Sequence, residues 1–104
     1  MSQAAIHGGT VYLGGQVGTL GADITEQTRQ VLASIDRLLA EAGSDKSRIL
    51  QAIVWLADMA DFDAMNAVWD GWVDRENAPV RACGQSQLAD PGYRVEIIIT
   101  AAAG

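Results

Sequence analysis

Cysteine, proline and histidine are scarce in this chain, and so is positive charge. With a single cysteine, Cys83, no intramolecular disulfide can form, so nothing argues for an oxidising compartment. One histidine, His7, and one cysteine are too few for a metal site, and His7 lies far in sequence from Cys83, which leaves the thiol without a base. No apolar run approaches the ~20 residues that a membrane-spanning helix needs, and no basic-then-apolar leader opens the chain. A cytoplasmic protein with no membrane partner is therefore the expectation. Seven Lys and Arg stand against thirteen Asp and Glu, for a net charge of −6. A phosphate-binding surface needs clustered cations, and only Lys46 and Arg48 fall close together, which weighs against nucleic acid as a partner.

What is present is the composition of one globular domain, 1–104. Its 104 residues are 49% hydrophobic and 19% charged, enough for one core and too few for two. Ala5 to Leu13 reads as two short strands joined at Gly8-Gly9, a hairpin signal, and glycines 14, 15 and 18 lead into a polar connection. From about Ile24 to Ala42 the period becomes helical, with Val31, Leu32, Ile35, Leu38 and Leu39 on one stripe. Asp23 or Thr25 can cap its start, and Gly43 can end it. Ile49 to Leu56 reads as a strand that is apolar on both faces. A second helix is predicted from Asp61 or Phe62 to Asp74, with Asp61 as N-cap and Met65, Val68, Trp69 and Trp72 on its buried side. Trp55, Trp69 and Trp72 suit core or helix-packing positions. Val80 to Gln87 and Tyr93 to Ala101 are the last strands, separated by the turn signal Asp90-Pro91-Gly92.

The order ββαβαββ describes an α+β domain with two helices packed on one face of a sheet. In the last strand Tyr93, Val95, Ile97 and Ile99 share one face, while Arg94, Glu96, Ile98 and Thr100 share the other. Two helices can cover only one of these faces. The second, mixed face then calls for another copy of the chain.

Pro79-Val80-Arg81-Ala82-Cys83, followed thirteen residues after Cys83 by Glu96, is the stretch richest in chemistry. Arg81 and Cys83 fall on the same side of their strand. A guanidinium grips a carboxylate through two parallel hydrogen bonds, so Arg81 and Glu96 suggest an anion-binding pocket with an acid/base group. The plainer alternative is a salt bridge, either between these two residues or at a subunit contact. Asn66, near the start of the second helix, reads on its own as a solvent-facing polar residue. The loop Gly14-Gly15-Gln16-Val17-Gly18 lacks the G-x-G-x-x-G spacing of a nucleotide site, and no helix opens directly on it.

Taken together, Gly15-Gln16, Gln27 to Leu32, Ala42-Gly43, Asp61-Phe62 with Asn66, Pro79 to Cys83 and Val95-Glu96-Ile97 resemble the RidA/YjgF family of imine/enamine deaminases. The likeness runs from Ser2-Gln3-Ala4 to Ala101. It implies a chorismate-mutase-like fold, a homotrimer with a cleft at each subunit interface, and no metal or organic cofactor. It further implies hydrolysis of 2-enamine/2-imino acids to 2-keto acids and ammonia. Carried over by position, Arg81 would hold the substrate carboxylate and Glu96 would orient or activate water. Backbone groups at Cys83 and near Gly14 and Gly15 would flank the imine, with Asn66 close to the cleft. Two positions depart from the family pattern: Gly14 stands where a serine is frequent, and Met1 where a tyrosine precedes a Ser-Gln pair. These departures leave open a non-catalytic trimer of the same fold that binds a small carboxylate. A chorismate mutase is suggested by fold analogy alone, and the ribonuclease role sometimes attached to the family sits badly with the charge of −6.

Overall fold

The computed structural model describes residues 1–103. Strands β1 (Ala4–His7) and β2 (Thr10–Leu13) form a hairpin in which His7 faces Thr10. The two residues between them, Gly8 and Gly9, have φ of +59° and +78°, the left-handed pair that a tight hairpin turn demands and that glycine adopts freely. Helix α1 (Ile24–Glu41) begins where the Asp23 carboxylate accepts a 2.8 Å hydrogen bond from the Glu26 N–H, satisfying one of its orphan donors. All five residues of its apolar stripe are buried.

Strand β4 (Ile49–Leu56) and strand β5 (Val80–Gln85) run parallel, joined by helix α2 (Phe62–Trp72), and strand β6 (Val95–Ala102) lies antiparallel to β4. The sheet order is β1-β2-β6-β4-β5, with a further short strand, β3 (Gln16–Val17), pairing with β6. Val95, Ile97, Ile99 and Ala101 of β6 share the helix-covered core with Ala52, Val54 and Leu56 of β4. Both helices contribute to the same core, Ile35 and Leu39 from α1 and Met65 and Trp69 from α2. Burying a side chain of this size stabilises by about 1.5–3 kcal/mol. The α+β class with two helices on one face is thus as the sequence implies, with three strands rather than two before α1.

The opposite face of the sheet carries Tyr12, Ile53, Trp55, Glu96, Ile98 and Thr100, all half-buried or exposed. Trp55 is therefore not a core residue: it faces away from the helices, with Gly84 and Glu96 as its cross-strand neighbours. Strand β5 ends at Gln85, two residues early, because β4 ends at Leu56, whose carbonyl accepts the Ser86 N–H at 3.0 Å. Strand β6 starts at Val95 because the Tyr93 and Arg94 amides are engaged elsewhere, on the Asp90 carbonyl and the Gln27 side chain. Asp61 makes no side-chain cap on α2. Its carboxylate instead accepts from Arg94, through Nε at 3.1 Å and Nη2 at 2.8 Å. A charged tertiary partner with a planar fork outcompetes a local N–H.

Candidate ligand site

Arg81 occupies β5 opposite Ala52, a fully buried residue of β4, so its side chain leaves the sheet on the helix side. There it meets α2. The guanidinium carbon lies 5.1 Å from the ring centroid of Trp69 and 5.9 Å from that of Phe62. Such placement fixes the fork by cation–π attraction without consuming its N–H donors. Nη1 is buried and has no hydrogen-bond partner among the described residues. Asn66 lies on α2 between the two aromatic residues, four positions after Phe62 and three before Trp69. It is half-buried, which corrects the solvent-facing reading. Its Nδ2 donates to Asp70 at 3.3 Å, while its Oδ1 is buried and unpartnered. A donor and an acceptor buried without partners, on neighbouring elements, are groups that a bound molecule can satisfy.

Cys83 sits two residues beyond Arg81 on the same face, opposite Val54. Burial pushes its thiol above the ordinary value, and the positive charge of Arg81 only partly offsets this. The group is therefore held as a neutral thiol rather than a nucleophilic thiolate. Iodoacetamide is expected to label Cys83 more slowly at neutral pH than it labels an unperturbed cysteine peptide. Labelling at the peptide's rate would show an activated thiol instead.

Glu96 is placed differently. It pairs in register with Trp55 and Val17, on the face of the sheet that the helices leave open. Arg81 and Glu96 thus point to opposite faces, and within one chain they do not share a pocket or form an ion pair. Beside Glu96 lies Gly15: a Cβ built there would fall 2.8 Å from the Glu96 Cδ and 2.9 Å from Oε2. The Gly14-Gly15-Gln16 loop is held by the N-terminal segment. Gly14 N–H donates to the Gln3 carbonyl at 2.8 Å, and the Gln16 Nε2 donates to Gln3 Oε1 at 2.7 Å and to the Gly14 carbonyl at 3.1 Å. The nearest atoms to a Cβ at Gly14 would be the Ser2 and Gln3 carbonyl oxygens, at 3.5 and 3.6 Å, which is ordinary contact. Met1 is fully exposed.

The chain thus places these residues in two separate groups: Arg81, Cys83 and Asn66 at the β5–α2 edge, and Gly14, Gly15 and Glu96 on the open face. Two concave surfaces, one between α1 and α2 and one beneath residues 85–91, contain none of these six residues. No three His, Cys, Asp or Glu side chains converge as a metal site among the described residues. Nor is any described helix long and apolar enough to cross a membrane. Sequence reasoning missed Phe62 and Trp69 as the frame of Arg81. Their spacing with Asn66 on one helical face was the available signal.

Both the sequence and the fold of this chain have counterparts among known proteins. The family model described as Endoribonuclease L-PSP matches residues 1–103, and the chain belongs to that family, which is the YjgF/RidA family. A RutC family protein of Haemophilus ducreyi is 52% identical over 102 residues, covering 97% of this chain and 87% of the relative. The human 2-iminobutanoate/2-iminopropanoate deaminase is 30% identical over 110 aligned positions, covering 99% of this chain and 80% of its own. The crystal structure of a YjgF family member from Neisseria meningitidis superposes with a TM-score of 0.97 at 48% identity. It covers all of this chain, 100%, and 87% of the other.

Proposed function

We propose that this protein hydrolyses reactive 2-enamine/2-imino acids to 2-keto acids and ammonia. The observation that carries the reading is the Arg81 guanidinium, fixed over two aromatic rings with a buried, unpartnered N–H. Such a group is built to receive a carboxylate through two parallel hydrogen bonds. The resemblance to a deaminase of Homo sapiens supports the substrate class.

Because Glu96 faces away from Arg81, the reading places them in one cleft only when a second copy brings its open sheet face to the β5–α2 edge of the first. A closed ring of such contacts gives the homotrimer, with each cleft taking Arg81, Cys83 and Asn66 from one subunit and Gly14, Gly15 and Glu96 from the next. In the cleft the Glu96 carboxylate takes a proton from water as the water oxygen adds to the imine carbon. Glu96 passes that proton to the imine nitrogen, and the proton of the new hydroxyl follows as the C–N bond breaks, so that ammonia leaves and the carbonyl forms. The carbon is electrophilic enough for water once the two are held together, so the reading calls for no cofactor.

The test is release of ammonia and keto acid from 2-imino acids generated in situ by an amino-acid oxidase, with and without the protein. Acceleration is expected, and its absence across several imino acids would remove the enzymatic reading. The missing hydroxyl at Gly14 and the exposed Met1 favour one alternative, a trimer that binds small carboxylates without turning them over. Binding of 2-oxobutanoate without acceleration would establish that alternative. A ribonuclease reading is opposed by the net charge of −6, which repels the phosphate backbone.

A further inference from the structure

Asp61 stands immediately before α2, where an aspartate ordinarily caps the helix and stabilises it by about 1 kcal/mol. Here it forgoes that bond. Its carboxylate is largely buried and takes both prongs of the Arg94 guanidinium, at 2.8 and 3.1 Å. Arg94 is itself held from behind. Its backbone N–H donates to Gln27 Oε1 at 2.8 Å, and Gln27, with 0% exposure, donates through Nε2 to the Gly92 carbonyl at 2.8 Å and the Ala22 carbonyl at 2.9 Å. One connected set of bonds therefore joins the start of α1, the turn before β6 and the first residue before α2.

We infer that this Asp61–Arg94 clamp, backed by Gln27, is a positioning device for the carboxylate grip of Arg81. The residue that follows Asp61 is Phe62, one of the two rings over which the guanidinium lies, and Trp69 is two helical turns further on the same face. Asn66, with its unpartnered Oδ1, lies between them. Met65 and Trp69 seat α2 in the core, but its first turn, which carries Phe62, has no side-chain cap to hold it. The clamp supplies that constraint from Arg94, the residue just before β6. It does so two residues ahead of Glu96, so the strand that carries the water activator and the helix that frames the carboxylate grip are locked to each other. The net stability of such an ion pair is small, so in this inference its contribution is geometric. Asp61 touches neither reacting atoms nor substrate in this scheme; it acts through Phe62, Asn66 and Trp69 on Arg81.

The inference rests on the carboxylate-grip reading of Arg81, and the experiment separates the two. Asp61→Asn keeps the shape and removes the charge. Arg94→Lys keeps the charge and removes the fork. Both are compared with wild type and Arg81→Ala for the dissociation constant of 2-oxobutanoate and for KM and kcat with an imino acid made in situ. Asp61→Asn is expected to raise the dissociation constant and KM together by about tenfold, with kcat within about twofold, because a small misplacement of a binding group weakens the grip while leaving Glu96 in place. Arg94→Lys is expected to fall between Asp61→Asn and wild type, and it serves as the test should Asp61→Asn not fold. Unchanged binding and KM in a folded variant, or a fall in kcat alone, would overturn the inference. If Arg81→Ala also binds 2-oxobutanoate like wild type, the carboxylate-grip reading itself has failed. If only the clamp variants bind normally, that reading stands and the clamp is merely structural.

Discussion

Arg81→Ala is expected to fold, assemble and lose about 10²- to 10³-fold in kcat/KM for imino-acid hydrolysis. Truncating one partner of a buried, hydrogen-bonded charge pair costs about 2–5 kcal/mol, and each 1.4 kcal/mol is tenfold. The side chain is only half-buried and lies on the edge strand, so its removal exposes the Phe62 and Trp69 rings without opening the core around Ile97 and Ile99. Arg81→Lys separates charge from shape. An ammonium keeps the positive charge but presents neither the planar fork nor the stacking surface, so a loss of about tenfold or more is expected. Both variants should raise the dissociation constant of 2-oxobutanoate along with KM. Full activity in Arg81→Ala would place the substrate carboxylate elsewhere and leave the two rings as simple packing around a structural arginine.

The difference between what the sequence discloses and what it hides follows the range of the interactions. The α1 stripe, the Gly8-Gly9 turn, the Gly43 terminator with φ +78° and the alternation along β6 are all set by neighbours within a few residues, and all are legible as local periods. Strand β3 is not, because two residues carry no period; it exists through its pairing with Ile97 and Glu96 of β6. Asp61 was expected to cap, and a partner 33 residues away took its carboxylate instead. Trp55 was legible in principle: Val54 and Leu56 are buried, so the residue between them must face away. The opposed directions of Arg81 and Glu96 needed more. Parity within each strand is readable, but the relation between β5 and β6 passes through β4, and only the two registers Ala52–Arg81 and Trp55–Glu96 fix it. The family itself was legible from the order and spacing of short motifs, and the match over residues 1–103 bears that out.

Gly15→Ala is expected to cut kcat by about 100-fold while leaving KM and the fold close to wild type. An added Cβ at position 15 would fall 2.8 Å from Glu96 Cδ and 2.9 Å from Oε2, distances that real contacts do not sustain, and a tight 3.1 Å from Cγ. The atoms in the way are the far end of a flexible side chain rather than backbone, so the carboxylate moves and the strand stays. Stability should therefore change little, while the group proposed to activate water is displaced by about the 1 Å that can cost two orders of magnitude in rate. In the proposed cleft the Arg81 that grips the substrate belongs to the neighbouring subunit and the backbone at position 15 stays in place, which is why substrate binding should persist. Gly14→Ala is the matched control, since its Cβ would meet only backbone carbonyls at 3.5 Å or more and should be tolerated. A shared loss in both variants would point to the loop's attachment at Gln3 rather than to Glu96. Wild-type turnover in Gly15→Ala would show that the position of the Glu96 carboxylate does not set the rate, and water activation would then have to be assigned to another group.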